Sequence, residues 1–170
     1  DHAGIQVMIY GPDNPTLFAQ ICAFFDTADY TIAEAKIHTT KHGYALDSFF
    51  VLDCATQSDY HADPLLFIEQ ALSARLQNPI ALAAAPSLGR GSRQVRHFPL
   101  EPTVQIQHDE KQDSFSLEIV AADRPGLLSR IAALLASHQI KIHSAKITTL
   151  GERAEDIFVI NRNTPIRSLK

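Results

Sequence analysis

The fold is decided by residues 119–149, IVAADRPGLLSRIAALLASHQIKIHSAKITT, because residues 9–39, IYGPDNPTLFAQICAFFDTADYTIAEAKIHT, carry the same pattern 110 positions earlier. Many columns are identical, and most others exchange one apolar residue for another. The period is too long for a solenoid, whose repeats span about 20–50 residues. The chain therefore contains two copies of one module. The first copy shares Ile9, Asp13, Pro15, Leu17, Ile21, Ile32, Ala35, Lys36, Ile37 and Thr39 with the second.

The first copy begins with a strand, a helix and a hairpin. Alternating or continuous apolar residues predict strands at Gln6–Tyr10, Thr31–Thr39 and Ala45–Leu52. Between the first two strands, apolar residues recur with helical spacing over Leu17–Phe25. The second and third strands are separated only by a short turn, so we expect them to pair as a hairpin.

The remainder of the first copy is expected to supply a second helix and a fourth strand. Asp63 is followed by a proline and by helically spaced leucines, a pattern typical of a capped helix start. Residues 81–93 are rich in alanine, glycine and serine and predict a flexible connector. Val95–Phe98 and Thr103–Gln107 can form an edge strand interrupted by two prolines. The order of elements is then βαββαβ.

The second copy repeats the first part of this order and then stops. Strand patterns at Phe115–Ala121, Ile140–Thr149 and Glu155–Ile160 accompany a helical pattern over Leu127–Leu135. The charged residues 151–156 are interpreted as a solvated hairpin tip, with a docking surface for another domain as the alternative. Too few residues follow Asn161 for a further helix and strand.

We predict an α+β fold of tandem ferredoxin-like modules, with antiparallel sheets, helices on one face and a second module incomplete at its C-terminus. The first module spans residues 1–108 with the flexible segment at 81–93, a linker covers 109–113, and the second module covers 114–170. The chain opens without a methionine, which suggests a fragment of a longer protein.

Composition excludes several classes of protein. Apolar residues make up 45% and charged residues 20%, as in ordinary globular proteins, and the formal charge of −4 provides no basic footprint for nucleic acid. No stretch has the length of a membrane span or the succession of a signal peptide. We therefore predict a cytosolic protein with neither a nucleic-acid nor a membrane partner.

Cysteine and histidine provide no catalytic or metal centre. Cys22 and Cys54 stand apart without motif spacing, so buried free thiols are expected. The eight histidines are scattered, and no HExxH or comparable ligand set occurs. We predict no catalytic residues and no metal ligands in this chain.

The strongest local signal for function is residues 123–128, Asp-Arg-Pro-Gly-Leu-Leu, at a strand-to-helix junction. Proline presets the backbone at a helix start, and glycine lets a ligand approach the free N–H groups of that start. A small carboxylate could bind there. Asp123 could cap the helix or engage an ammonium group, and both roles stay open.

This loop, the βαββαβ order and the tandem copy resemble the ACT domain, a regulatory module that binds amino acids. Residues 145–158, AKITTLGERAEDIF, and 96–99, RHFP, are similar to the C-terminal ACT pair of the family of bifunctional uridylyltransferase/uridylyl-removing enzymes. The resemblance covers essentially the whole chain.

The resemblance implies a glutamine sensor that acts as a regulatory part of such an enzyme. In that family the ACT pair reports glutamine to Mg²⁺-dependent catalytic domains of the same polypeptide, which uridylylate and deuridylylate the nitrogen regulatory protein PII. The motifs of those catalytic domains are absent from this sequence, so the fragment by itself is expected to be catalytically silent and to hold no cofactor.

The resemblance also assigns site residues. In the first copy, Asn14 and Thr16 replace the arginine and glycine of the motif, which predicts a weaker site, although Asn14 could still bond a ligand. Lys146, like Lys36, either neighbours the ligand or is solvated. The candidate ligand-binding residues are Asp123, Arg124, Pro125, Gly126, Leu127, Leu128 and Lys146, then Asp13, Asn14, Pro15, Thr16 and Leu17.

A second function class remains open at this point. The chain could be a ligand-independent dimerisation unit in which exposed sheet edges pair side by side to form a homodimer. The two hypotheses differ at Gly126, because strand pairing would tolerate a bulky residue there and backbone capture of a ligand would not.

Overall fold

The computed structural model describes residues 4–53, 63–82 and 100–161. Within these residues the elements alternate much as the sequence predicts, with bounds that differ by a few residues. In chain order they are β1 (Gly4–Pro12), α1 (Leu17–Thr27), β2 (Tyr30–His38), β3 (Tyr44–Asp53), α2 (Pro64–Gln77), β4 (Thr103–Asp109), β5 (Ser114–Ala122), α3 (Leu127–Ser137), β6 (Ile142–Leu150) and β7 (Arg153–Asn161).

All of these strands join one antiparallel sheet in the order β1-β3-β2-β6-β7-β5-β4. The α+β class and the tandem ferredoxin-like arrangement are therefore confirmed. In each module the central hairpin and the first strand form a three-stranded unit, and the two units meet where β2 pairs with β6.

The β2–β6 junction relates the two modules by a pseudo-twofold axis. Lys36 lies opposite Lys146, which is its own equivalent in the second copy, and the pairs on either side are Ala35 with Ile147 and Ile37 with Ala145. The axis therefore passes between the two lysines. Their side chains are exposed on the face of the sheet opposite α1 and α3, while the alanines and isoleucines beside them are buried.

The core is continuous across both modules because every second strand residue points toward the helices. Phe25 of α1, Phe49 of β3 and Phe158 of β7 have no measurable exposure. Helices α1 and α3 pack against each other, and the hydroxyl of Ser129 donates a hydrogen bond of 3.1 Å to the carbonyl of Cys22. The predicted burial of the Cys22 thiol is confirmed, and burial raises its pKa well above the usual value.

The strand Thr103–Asp109 differs from its predicted place. It was expected to complete the first module, but it pairs with β5 of the second module instead. The reason is local: Asp109 accepts hydrogen bonds from the backbone N–H groups of Lys111 and Gln112 and closes a tight turn, so the expected linker 109–113 is a hairpin loop. Among the described residues, the outer edge of β1 has no paired strand.

The second helix starts as predicted, since Asp63 accepts hydrogen bonds from the N–H groups of Leu65 and Leu66. The predicted strand Val95–Phe98, most of the connector, Cys54 and the chain end at 162–170 lie outside the described residues. The domain boundaries stay predictions. Over the parts of the chain that are described, no helix has both the length and the apolar character needed to cross a membrane.

Replacing Lys36 by threonine is expected to stabilise the chain slightly. Like charges directly opposite each other on paired strands are destabilising, and Lys146 keeps Glu34 as a diagonal neighbour. We expect the free energy of unfolding to rise by about 0.2–1 kcal/mol. Thermal unfolding in low salt measures this change, with Lys41→Thr in the exposed β2–β3 turn as the control. A lower melting temperature for Lys36→Thr alone would contradict a repulsive junction.

Candidate functional site

Two cavities lie between the modules at positions related by the repeat. Cavity 1 has a volume of about 220 Å³ and is formed by the β5–α3 loop together with the end of α1 and the start of β2. Cavity 2 has about 110 Å³ and is formed by the β1–α1 loop together with the end of α3 and the start of β6. Each loop of one module therefore faces the helix end of the other module.

The loop at cavity 1 is a type II turn. The N–H of Leu127 donates a hydrogen bond of 3.0 Å to the carbonyl of Arg124, Pro125 occupies the second position, and Gly126 has φ +78° and ψ 2° at the third. A type II turn needs a left-handed residue at the third position, which glycine adopts without strain. Helix α3 then begins at Leu127.

The loop at cavity 2 has the same hydrogen bond but the other turn type. The N–H of Leu17 donates to the carbonyl of Asn14 at 3.1 Å, and Thr16 has φ −107° and ψ −3°, as in a type I turn. The peptide between the central residues is reversed in type I relative to type II. The N–H of Thr16 donates a hydrogen bond of 3.0 Å to Oδ1 of Asn14 in the same loop, so this donor is satisfied within the loop.

At cavity 1 the N–H of Gly126 instead bonds a carboxylate of the first module. Asp26, at the end of α1, accepts a hydrogen bond from this N–H and lies next to the Ser129 hydroxyl, which donates to the Cys22 carbonyl. Burial raises the pKa of Asp26, and the neighbouring Gly126 N–H and Ser129 hydroxyl partly oppose that rise. The equivalent residue at cavity 2 is Ala136, which has no such group. The start of α3 is therefore held by an anion from the neighbouring module.

A buried carboxylate lies beside each cavity. Asp156 on β7 is 2% exposed and Asp47 on β3 is 1% exposed, and both point to the helix face of the sheet. Burial raises the pKa of Asp156 to about 7 and that of Asp47 to about 6, while backbone N–H groups of Thr148 and His38 oppose the rise. Within the described residues, Oδ1 of Asp156 is buried without a hydrogen-bond partner.

The walls of cavity 1 are strongly acidic. Besides Asp26 and Asp156, its lining includes Asp29 and Asp123, against Arg124 as the cation. Asp123 accepts a hydrogen bond from the N–H of Arg124, and burial raises its pKa. In the described ranges no set of three or more His, Cys, Asp or Glu residues has the arrangement of a metal site. The site offers N–H donors at a helix start and carboxylates deeper inside.

The structure brings together most of the predicted site residues. Three of the predictions need correction. Asp123 does not cap α3, because the turn moves the helix start to Leu127 and leaves Gly126 at the cap. Lys146 lies on the opposite face of the sheet, since strand alternation directs it away from the buried Ala145 and Ile147. Thr16 and Leu17 do not line cavity 2. The residues found at cavity 1 are Asp123, Arg124, Pro125, Gly126, Leu127 and Leu128, and those at cavity 2 are Asp13, Asn14 and Pro15.

The sequence analysis missed Asp26, Asp47 and Asp156. The predicted solvated tip at 151–156 is wrong for Asp156, which is buried, although Arg153 and Glu155 do form an exposed ion pair. A signal for the two strand residues was present, because each occupies an inward position of an apolar alternation ending in Phe49 or Phe158. Asp26 could be assigned only once α1 was known to face the other module.

Comparisons with known proteins agree with this architecture. Residues 115–169 match the ACT domain family. A bifunctional uridylyltransferase/uridylyl-removing enzyme of Chromobacterium violaceum is 50% identical over 95% of this chain and 19% of its own length. The corresponding enzyme of Nitrosospira multiformis is 50% identical over 93% of the chain and 18% of its length, and that of Ralstonia nicotianae is 45% identical over 93% and 19%. The chain thus spans less than two thirds of these relatives. No solved structure gave a significant match.

Proposed function

Since residues 115–169 match the ACT domain family and the chain matches a segment of bifunctional uridylyltransferase/uridylyl-removing enzymes, we propose that it is an amino-acid-sensing regulatory module whose effector is glutamine. Glutamine binds in cavity 1, with its carboxylate at the start of α3. Cavity 2 is assigned no ligand.

The observation that carries this proposal is the type II turn at Gly126. It turns an N–H group at a helix start toward a cavity between two modules, where helix geometry favours a carboxylate. The cavity is below the range of about 300–1,000 Å³ usual for drug-sized ligands, so it suits a small metabolite. The type I turn at cavity 2 uses the equivalent N–H internally.

Asp26 supplies a physical route from binding to regulation. Its carboxylate holds the Gly126 N–H across the module interface, and a ligand carboxylate competes for that same donor. Binding would release one of the contacts that join α1 to α3. A ligand shifts a conformational equilibrium only through its different affinity for the two states, and typical couplings are about 1–3 kcal/mol.

The role of the longer protein follows by extension. The relatives are named for uridylyl transfer and removal, and we propose that this module biases Mg²⁺-dependent catalytic domains of the same polypeptide that act on PII in the cytoplasm. The dimerisation hypothesis is weakened because the β2 and β6 edges already pair with each other within one chain. A homodimer through the remaining sheet edges is not needed to form cavity 1.

Calorimetric titration of the purified 170-residue chain with glutamine tests the proposal. We expect saturable binding of one glutamine per chain, because the two cavities differ in turn type and charge. Asparagine, which is shorter by one methylene, should bind about 10–200-fold more weakly. A folded chain that gives no heat with any amino acid would contradict the sensor and favour the dimerisation unit. Two equivalent sites would contradict the assignment to cavity 1.

A further inference from the structure

Burying the Asp156 carboxylate costs free energy, and the contacts seen among the described residues do not offset that cost. A buried carboxylate is unfavourable unless charges or hydrogen bonds compensate it, and a partly satisfied one is worse than an apolar residue. Its Oδ1 lacks a hydrogen-bond partner among the described residues, and Asp123, whose charge acts on it, is also an anion. A positively charged group beside Asp156 would therefore be stabilising at this point of the core.

The two cavities differ in the charged residues that line them. Cavity 2 combines Asp13 and Asp47 with Lys141 in its lining. The position equivalent to Lys141 at cavity 1 is Thr31. Among the described lining residues, cavity 1 has four aspartates against two at cavity 2 and no lysine, and Arg124, its cation, belongs to the loop at the helix start.

We infer that Asp156 receives the ammonium group of the ligand in cavity 1, and that the acidic lining selects zwitterionic amino acids with uncharged side chains against dicarboxylic ones. This inference rests on the proposed function, because it assigns the ligand chemistry of the same cavity. Rotation about the terminal torsion of an aspartate is soft, so either oxygen of Asp156 can turn to the cavity that the side chain lines.

The two charged groups on the α-carbon of a bound amino acid then each have a partner in the site. Its carboxylate lies at the N–H groups of the α3 start, and its ammonium lies at Asp156. A second carboxylate, as in glutamate, would add a negative charge among four aspartates and be repelled, whereas the glutamine amide is neutral. The site therefore distinguishes two amino acids of nearly the same shape by charge.

Binding should also release a proton at neutral pH. Burial holds the pKa of Asp156 near 7, so about half of the molecules carry a proton there at pH 7, and an ammonium neighbour favours the ionised form. The proton passes from the Asp156 carboxyl to the buffer. The charged or titratable groups that line the cavity together with Asp156 are Asp26, Asp29, Asp123, Arg124, Cys22 and Tyr30.

The test is calorimetry of the full chain at pH 7 in phosphate and in Tris, whose ionisation enthalpies differ. The probes are glutamine, glutamate and 4-carbamoylbutanoate, which is glutamine without its amino group. For the wild-type chain we expect glutamine to bind with release of about half a proton, and the other two to bind at least about 10-fold more weakly. Asp156→Asn should lower glutamine affinity at least about 10-fold and abolish the proton release. Asp47→Asn, the matched buried carboxylate, should change neither.

The outcomes separate this inference from the proposed function. If the folded wild-type chain binds none of the probes, the sensor proposal fails and the inference fails with it. If glutamine and 4-carbamoylbutanoate bind equally well, or if Asp156→Asn retains glutamine affinity and proton release, the role assigned to Asp156 is wrong. Cavity 1 then remains a ligand site. The analogue comparison uses only the wild-type chain, so it decides the matter even if Asp156→Asn does not fold.

Discussion

Replacing Gly126 by valine is expected to weaken glutamine binding by about 100-fold. Gly126 has φ +78°, a conformation that costs a β-branched residue about 1–3 kcal/mol, and its added Cβ would lie 3.3 Å from Oδ2 of Asp26. The loop can relieve the strain by adopting the type I turn seen at Thr16. That change reverses the peptide N–H and removes the donor that faces cavity 1. Calorimetric titration of the folded variant measures the loss.

A matched control separates the loss of the donor from the cost of backbone strain. Gly43, in the β2–β3 turn, has φ +75° with open space around it and does not line cavity 1. Gly43→Val should lower stability by a similar backbone term and leave glutamine affinity unchanged. Equal binding losses in the two variants, or full affinity in Gly126→Val, would contradict ligand capture by this N–H.

The stability of the chain is expected to fall as pH rises from 5 to 8. Burial raises the folded-state pKa of Asp156 to about 7 and of Asp47 to about 6, from an ordinary value of 3.8. Between these limits the folded chain binds more protons than the unfolded chain, so the free energy of unfolding decreases with pH at up to about 1.4 kcal/mol per unit for each group. The contribution is fully present below pH 3.8 and lost above pH 7.

Between pH 5 and pH 8 the free energy of unfolding falls by about 4 kcal/mol at most, or about 10 °C in melting temperature for a chain of this size. Asp156→Asn should remove the larger part of the slope and make the variant more stable than the wild type at pH 8. Thermal unfolding of both chains across this pH range measures the difference, and Glu110→Gln in the exposed β4–β5 turn should follow the wild type. A wild-type stability that rises from pH 5 to 8, or an unchanged slope in Asp156→Asn, would overturn the pKa assignment.

This variant also connects stability with function. If Asp156→Asn is more stable and binds glutamine more weakly, the buried carboxylate is retained for the ligand at the expense of the fold. Such trade-offs are common where a binding site needs a group that the core would reject.

Much of the fold could be predicted because the repeat doubles each local signal. The helical spacing at 17–25 and 127–135 and the two hairpins fixed the elements, and the capped start at Asp63 needed only local chemistry. The partner of β4 could not be predicted in this way. Its pairing with β5 follows from the tight turn that Asp109 closes, whereas the βαββαβ order predicts a strand of the first module.

Only one wall of the candidate site could be predicted from the sequence. The loop 123–128 can be recognised in the sequence by its proline and glycine, which have defined roles in a turn. The other wall of cavity 1 comes from residues about 100 positions earlier, and Asp26 reads in isolation as an ordinary polar helix end. The contrast between Gly126 and Thr16 predicts a weaker first site, and the two loops differ in the structure by a reversed peptide.

Glutamine is expected to bind in the cavity shared by the β5–α3 loop and the end of α1. The most direct measurement is a ¹H–¹⁵N NMR titration of the isotopically labelled chain with glutamine. We predict that the largest saturable shifts occur in the amides of Gly126, Leu127 and Leu128 of one module and of Asp26, Asp29 and Thr31 of the other. Shifts confined to the Asn14–Leu17 loop, or no saturable shifts in a folded chain, would contradict the claim.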